Sequence, residues 1–188
     1  MAAMELFMEK GYGSTSVSDI LKKAGANSGS LYHFFPAKQD VLTAVLDTYH
    51  QGIRPMLLDP AWEGVHDPVE RIFVLLARYR QFLIDTDYFY GCPIGSLALE
   101  IHEPDPAVRE RLAANFSAWT EAIKECLDAA SERIPCDIDK RALAQFVLTT
   151  MEGAVMQART YRSLEPFDAS TDQLRKYLDC LAVEARSE

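Results

Sequence analysis

Residues 16–35 read SVSDILKKAGANSGSLYHFF, and the fold follows from how this stretch divides. Val17, Ile20, Leu21 and Ala24 recur at the i, i+3, i+4, i+7 spacing of one helix face. Ser16, followed three residues later by Asp19, is a capping-box variant that sets the start of that helix. Gly25 stops it, and Asn27 heads a second helix that ends near Phe35-Pro36. Two short helices joined by a tight turn containing glycine form a helix-turn-helix pair. In such a pair the second helix enters the DNA major groove with its N-terminal residues toward base edges. Ser28, Gly29 and Ser30 are then small because the backbone must come close to DNA. Their hydroxyl and N–H groups can bond to bases or phosphates. Leu31, Phe34 and Phe35 are expected to face a three-helix core, with Tyr32 and His33 emerging beside the groove.

The flanks carry the same period. Residues 1–10 read as the tail of a helix with Leu6 and Phe7 apolar and Gly11 just past its end, and a longer helix is predicted over 37–51. A second part starts near Pro55, with Pro60, Gly64 and Pro68 bracketing a connection. VERIFVLLARYRQFLI (69–84) is a strongly apolar helix, and GCPIGSLALEIH (91–102) a shorter one interrupted by glycine. From Asp105 to Arg133, Val108, Leu112, Phe116, Trp119, Ile123 and Leu127 form one stripe. Helices over 137–161 and 168–185 complete the chain. Strand-like alternation and hairpin signals are missing. The predicted fold is all-α, with about nine helices. It comprises an N-terminal three-helix helix-turn-helix domain over 1–50 and a C-terminal helical ligand-binding and dimerisation bundle over 51–188.

The formal net charge of −9 argues against a nucleic-acid partner until its distribution is considered. Residues 1–50 carry four Lys against five carboxylates, a balance of −1; the rest carry 15 bases against 23 acids, −8. Lys22, Lys23 and Lys38 lie between Asp19 and Asp40 with no acid among them, a small basic footprint on an acidic body. Cys92, Cys126, Cys136 and Cys180 are dispersed without a C-x-x-C pair, which argues against zinc and fits a reducing cytoplasm. His33, His50, His66 and His102 form no i, i+3 or i, i+4 pair, so no metal site is expected, and HEPDP from His102 reads as a corner. There is no apolar run of membrane-spanning length and no export signal, so no membrane association is expected. Nucleophile-elbow and phosphate-loop motifs are missing, as are paired catalytic carboxylates. The expected protein is not an enzyme and uses no cofactor.

Residues 6–46, LFMEKGYGSTSVSDILKKAGANSGSLYHFFPAKQDVLTAVL, closely resemble the DNA-binding domain of the TetR/AcrR family of bacterial repressors. The GY turn, TSVSDI, AG, GSLYHFF and the following Pro-x-Lys stand in the family's order and spacing. The resemblance implies an all-helical homodimer whose N-terminal domain grips double-stranded operator DNA. A variable C-terminal domain would hold a small-molecule effector and the dimer interface. Ser28 and Ser30 match positions facing bases; Tyr32 and His33 match contacts to backbone or bases; Lys38 matches a phosphate-binding lysine. Ser16 and Ser18 match the phosphate-contacting start of the second helix, and Asn27 and Gly29 complete the DNA-facing set. Two features depart from the pattern. The chain opens at MAAMELF, which implies a shortened first helix without its basic arm, and Ala37 replaces the usual serine cap, with Asp40 offsetting the loss through the helix dipole.

The second domain resembles the family more loosely. Phe73, Tyr79, Cys92, Phe116, Trp119, Phe146, Thr150 and Gln157 are its candidate effector contacts, for a small hydrophobic or aromatic molecule. Arg78 and Arg80 are expected to be solvated. Cys92, near a helix start, supports a second reading, a redox or electrophile switch on the same scaffold. LAQFVLTTMEGAVMQA (143–158), apolar on nearly every face with Gly153 permitting a close crossing, is expected to form the dimer seam with the last helix.

Overall fold

The computed structural model describes residues 1–103 and 105–185, apart from the side chain of Ser30. The helices in chain order are α1 (Ala2–Lys10), α2 (Val17–Ala24), α3 (Ser28–Phe34), α4 (Lys38–Gly52) and α5 (Asp59–Trp62). They continue with α6 (Pro68–Asp85), α7 (Pro93–Glu100), α8 (Pro106–Ala129), α9 (Lys140–Tyr161) and α10 (Glu165–Glu184). No strand occurs among the described residues. The all-α expectation therefore stands.

The chain divides into two compact units. The first combines Met1–Gly52 with Cys92–Phe116, and so takes in α7 and the start of α8, which by sequence fall in the effector domain. Its core is Leu6 and Phe7 from α1, Ile20 from α2, and Val41, Leu42, Val45 and Leu46 from α4. Ser16 caps α2 as a full capping box: its hydroxyl accepts from the Asp19 N–H, and the Asp19 carboxylate accepts from the Ser16 N–H. Gly25 ends α2 in the left-handed region at φ 62°. At the head of α4 the Asp40 carboxylate accepts from the Ala37 N–H at 2.8 Å, so one half of a capping box survives the missing serine. Asn115 of α8 is fully buried and donates to the carbonyls of Leu46 (3.0 Å) and Arg111 (2.9 Å), while Arg111 pairs with Asp47.

The second unit combines Ile53–Gly91 with Ser117–Glu188. It opens with a π-helical turn, Ile53–Leu58, and the four-residue α5, where the prolines had suggested only a connection. Pro55 lies within that turn; a proline removes a backbone donor and widens the local winding. Asp67 caps α6 by accepting from the N–H groups of Val69 and Glu70. Ile72, Leu75, Leu76, Leu83, Ile123, Leu127, Val147 and Met151 make the centre of its core. Two bidentate ion pairs fasten α6 to α10: Arg80 to Asp168, and Arg175 to Glu70, with the Arg175 guanidinium also 3.6 Å above the Phe73 ring. Arg80 is therefore paired rather than merely solvated. α10 starts three residues before the predicted Asp168, because Pro166 is acceptable in a first helical turn.

Candidate functional site

The helix-turn-helix pair is α2 and α3, joined at Gly25, Ala26 and Asn27. Ser16, Ser18, Asn27, Ser28 and Gly29 are all exposed, as are Tyr32 and His33. Ser30 lies within α3, and its side chain is outside the described residues. A Cβ added at Gly29 would meet only the Asn27 Oδ1, at an ordinary 3.5 Å. Packing within the chain therefore does not demand a glycine there.

One expectation fails. Phe34 does not enter the core; it is 72% exposed and stands edge-on to His33, with ring centroids 4.9 Å apart. Leu31 and Phe35, one full turn apart, take the inward stripe of this short helix, and Phe34 is rotated about 100° from Phe35. Tyr32, His33 and Phe34 are thus three consecutive exposed aromatic side chains, the last two in edge-on contact.

The basic window is largely occupied from within. Lys23 pairs with Glu5 and Glu9, both at 3.0 Å. Lys38 donates to the carbonyls of Tyr12 (2.8 Å) and Thr15 (3.0 Å) and lies 4.2 Å from the centre of the Tyr12 ring. Lys22 is exposed. The turn that Lys38 holds is also held by a residue the sequence did not single out. The Glu100 carboxylate accepts from the N–H groups of Tyr12 and Gly13. No local pattern could have found it, because the partners lie 87 and 88 residues apart.

Of the expected effector contacts, Cys92 and Phe116 belong to the first unit and Phe73, Tyr79, Trp119, Phe146, Thr150 and Gln157 to the second. Tyr79 and Trp119, both buried, meet at 5.9 Å between ring centroids. Phe73 is buried beneath Arg175, and Phe116 is half-buried. Phe146 is half-exposed, contacts Tyr177 edge-on at 5.8 Å, and lines a cleft of about 330 Å³ with Ile138 and Leu143. The Thr150 hydroxyl donates to the Phe146 carbonyl within α9, and Gln157 is exposed. A larger cleft of about 590 Å³ lies elsewhere in the second unit, among Arg54, Trp62, Arg71 and Glu125. Cys126 borders it, but burial pushes that thiol up to about 11, so it stays protonated at neutral pH.

Cys92 is buried at the head of α7, where its sulfur accepts from the Gly95 N–H at 3.4 Å. Tyr49 of α4 has its hydroxyl buried, without a hydrogen-bond partner among the described residues. Burial, and then the nearby Cys92, push its phenol up to about 12.

A short exposed helix behind a tight glycine turn is the arrangement found in helix-turn-helix DNA-binding regulators. Comparison with known proteins carries this to a family. Residues 1–45 match the family described as bacterial regulatory proteins, tetR family, and residues 68–173 match the LmrA/YxaF-like transcriptional regulator C-terminal domain. The chain belongs to the TetR family of transcriptional regulators. An uncharacterized HTH-type transcriptional regulator of Mycobacterium tuberculosis H37Rv is 33% identical over 184 residues, covering 95% of this chain and 91% of that protein. The HTH-type transcriptional repressor DhaR of Mycobacterium sp. strain GP1 is 27% identical, covering 87% of this chain and 82% of its own length. Among solved structures, regulatory protein TetR from Rhodobacter sphaeroides matches with a TM-score of 0.81 at 27% identity, over 92% of this chain and 93% of that one.

Proposed function

We propose that the protein is a transcriptional repressor that grips a palindromic operator as a homodimer and is released by a small hydrophobic or aromatic effector. The observation that carries this reading is the outer face of α3. Small residues at 28–29 lead into the exposed Tyr32, His33 and Phe34, and Ser16 and Ser18 are exposed at the head of α2. Residues 1–50 are assigned to DNA reading, and 51–188 to effector binding and dimerisation. The site of action is the cytoplasm, and the activity is binding rather than catalysis.

Two features support the partner assignments. On α9, Phe146 and Met156 are half-exposed, and a Cβ at Gly153 between them would meet nothing within 4 Å in the chain's own packing. A second copy seated on that face accounts for both. The Tyr79–Trp119 pair is the aromatic feature on which an effector would act.

The test is selection of DNA from a random pool by the full chain, followed by titration with candidate inducers. Binding should fall steeply with salt. Ser28→Ala should change which sequences are preferred, by roughly 1–3 kcal/mol per affected base pair. Failure to select any sequence overturns the reading. Trp119→Phe, which keeps an aromatic ring at the cost of some buried volume, should blunt the inducer response while leaving unliganded binding intact.

A second reading rests on Cys92, whose buried sulfur sits at the start of α7 and accepts from the Gly95 N–H. A thiol switch predicts that Cys92→Ser abolishes a response that Trp119→Phe retains. The opposite result removes it.

A further inference from the structure

Glu100 closes α7, where a carboxylate opposes the helix dipole, and no basic residue stands in that last turn. Its position is explained by the turn between α1 and α2. Oε2 accepts from the Tyr12 N–H at 2.8 Å and Oε1 from the Gly13 N–H at 2.6 Å. Two glycines make room for the carboxylate: a Cβ would lie 2.7 Å from Oε2 at Gly11 and 3.1 Å from Oε1 at Gly13. Gly11 also adopts φ +81°, which side-chain-bearing residues rarely take. On its carbonyl side the same turn is held by the Lys38 ammonium, through Tyr12 and Thr15. The buried Thr15 hydroxyl ties it to the carbonyls of Leu6 and Gly11. An anion thus holds the N–H groups and a cation the carbonyls, in the turn that ends one residue before Ser16, the cap of α2.

We propose that Glu100 is a positioning residue for DNA reading. Its carboxylate fixes the turn, and through it the head of α2, in the conformation that meets operator phosphates. The inference rests on the reading of α2 and α3 as the DNA interface. The sign of the effect separates it from simple electrostatics. Removing a negative charge from a DNA-binding unit should by charge alone tighten binding. Removing a positioning group should weaken it.

The experiment uses the full chain, the operator fragment selected by the wild type, and the variants Glu100→Gln, Glu100→Ala and Glu100→Asp. Operator affinity is measured over a salt series, and exchange of the Tyr12 and Gly13 amides by NMR, with helix content and dimer mass as controls. Glu100→Ala should bind about tenfold more weakly, the loss expected for hydrogen bonds to a charged group, with an unchanged salt slope. The Tyr12 and Gly13 amides should exchange at least about tenfold faster. Glu100→Asp, which keeps the charge on a shorter arm, should restore part of both. If Glu100→Ala does not fold, Glu100→Gln, of the same shape with only one acceptor oxygen, decides. Equal or tighter binding by a folded Glu100→Gln variant, or unchanged amide exchange, overturns the proposal. A wild type that selects no DNA removes the underlying reading as well, whereas a binding wild type with an unaffected Glu100→Gln removes this proposal alone.

Discussion

At the scale of single residues, charge is used here more for holding than for reaching out. Lys38 has two carbonyls and a ring as partners, so Lys38→Ala should lower stability as well as operator affinity. A thermal melt beside a binding curve separates the two, and unchanged melting would show that the lysine serves DNA alone. The carboxylates on α6 and α10 give a dependence on pH. Hydrogen bonding by Arg175 holds Glu70 below its ordinary value of 4.5, and hydrogen bonding by Arg80 holds Asp168 below 3.8. A depressed folded-state pKa contributes stability above the ordinary value and loses it as pH falls further. Melting temperature should therefore drop on acidification below about pH 4.5, and Asp168→Asn should flatten part of that drop. These pairs are more than a third exposed, so each is worth at most about 1 kcal/mol, or about 2–4 °C in a chain of this size. Little of this was legible beforehand. Ser16 and Asp19 could be read because their bonds close within one turn, whereas Lys38, Glu70 and Glu100 are defined by partners far away in the chain.

At the scale of elements, the sequence was most informative where a helix start is written locally. The cap of α2 is a bond between near neighbours, and that helix begins where Ser16 and Asp19 place it. Asp67 carries two duties, accepting from the first turn of α6 and pairing with Arg133. Asp67→Ala should cost about 1 kcal/mol for the cap, lowering the melting temperature by about 2–4 °C, and Asp67→Asn should recover most of that loss. If both substitutions destabilise equally, the ion pair matters more than the cap. Short elements were read less well. In α3 the i, i+3 spacing points Phe34 to the core, whereas i+4 alone completes the stripe of so short a helix and leaves Phe34 exposed. The π-helical turn at 53–58 has no periodic signal of its own.

At the scale of the molecule, the all-α class and the order of helices were legible because 3.6-residue periodicity accumulates over long segments such as α6, α8 and α9. The grouping of α7 with the N-terminal helices was not, since nothing in an eight-residue apolar segment states what it packs against. Assembly gives the last prediction: Gly153→Glu should place a charge in a desolvated helix crossing and yield monomers or aggregates. A monodisperse dimer of this variant in sedimentation would move the seam elsewhere. The two tryptophans have a practical consequence. Trp62, with its indole N–H donating to the Arg71 carbonyl, and Trp119, buried against Tyr79, both belong to the second unit. Indole emission on heating or in denaturant therefore follows that unit alone, while the circular dichroism signal follows helices in both. Coincident transitions by the two optical probes would mean that the units melt as one cooperative block; a gap between them would give the DNA-reading unit a melting point of its own.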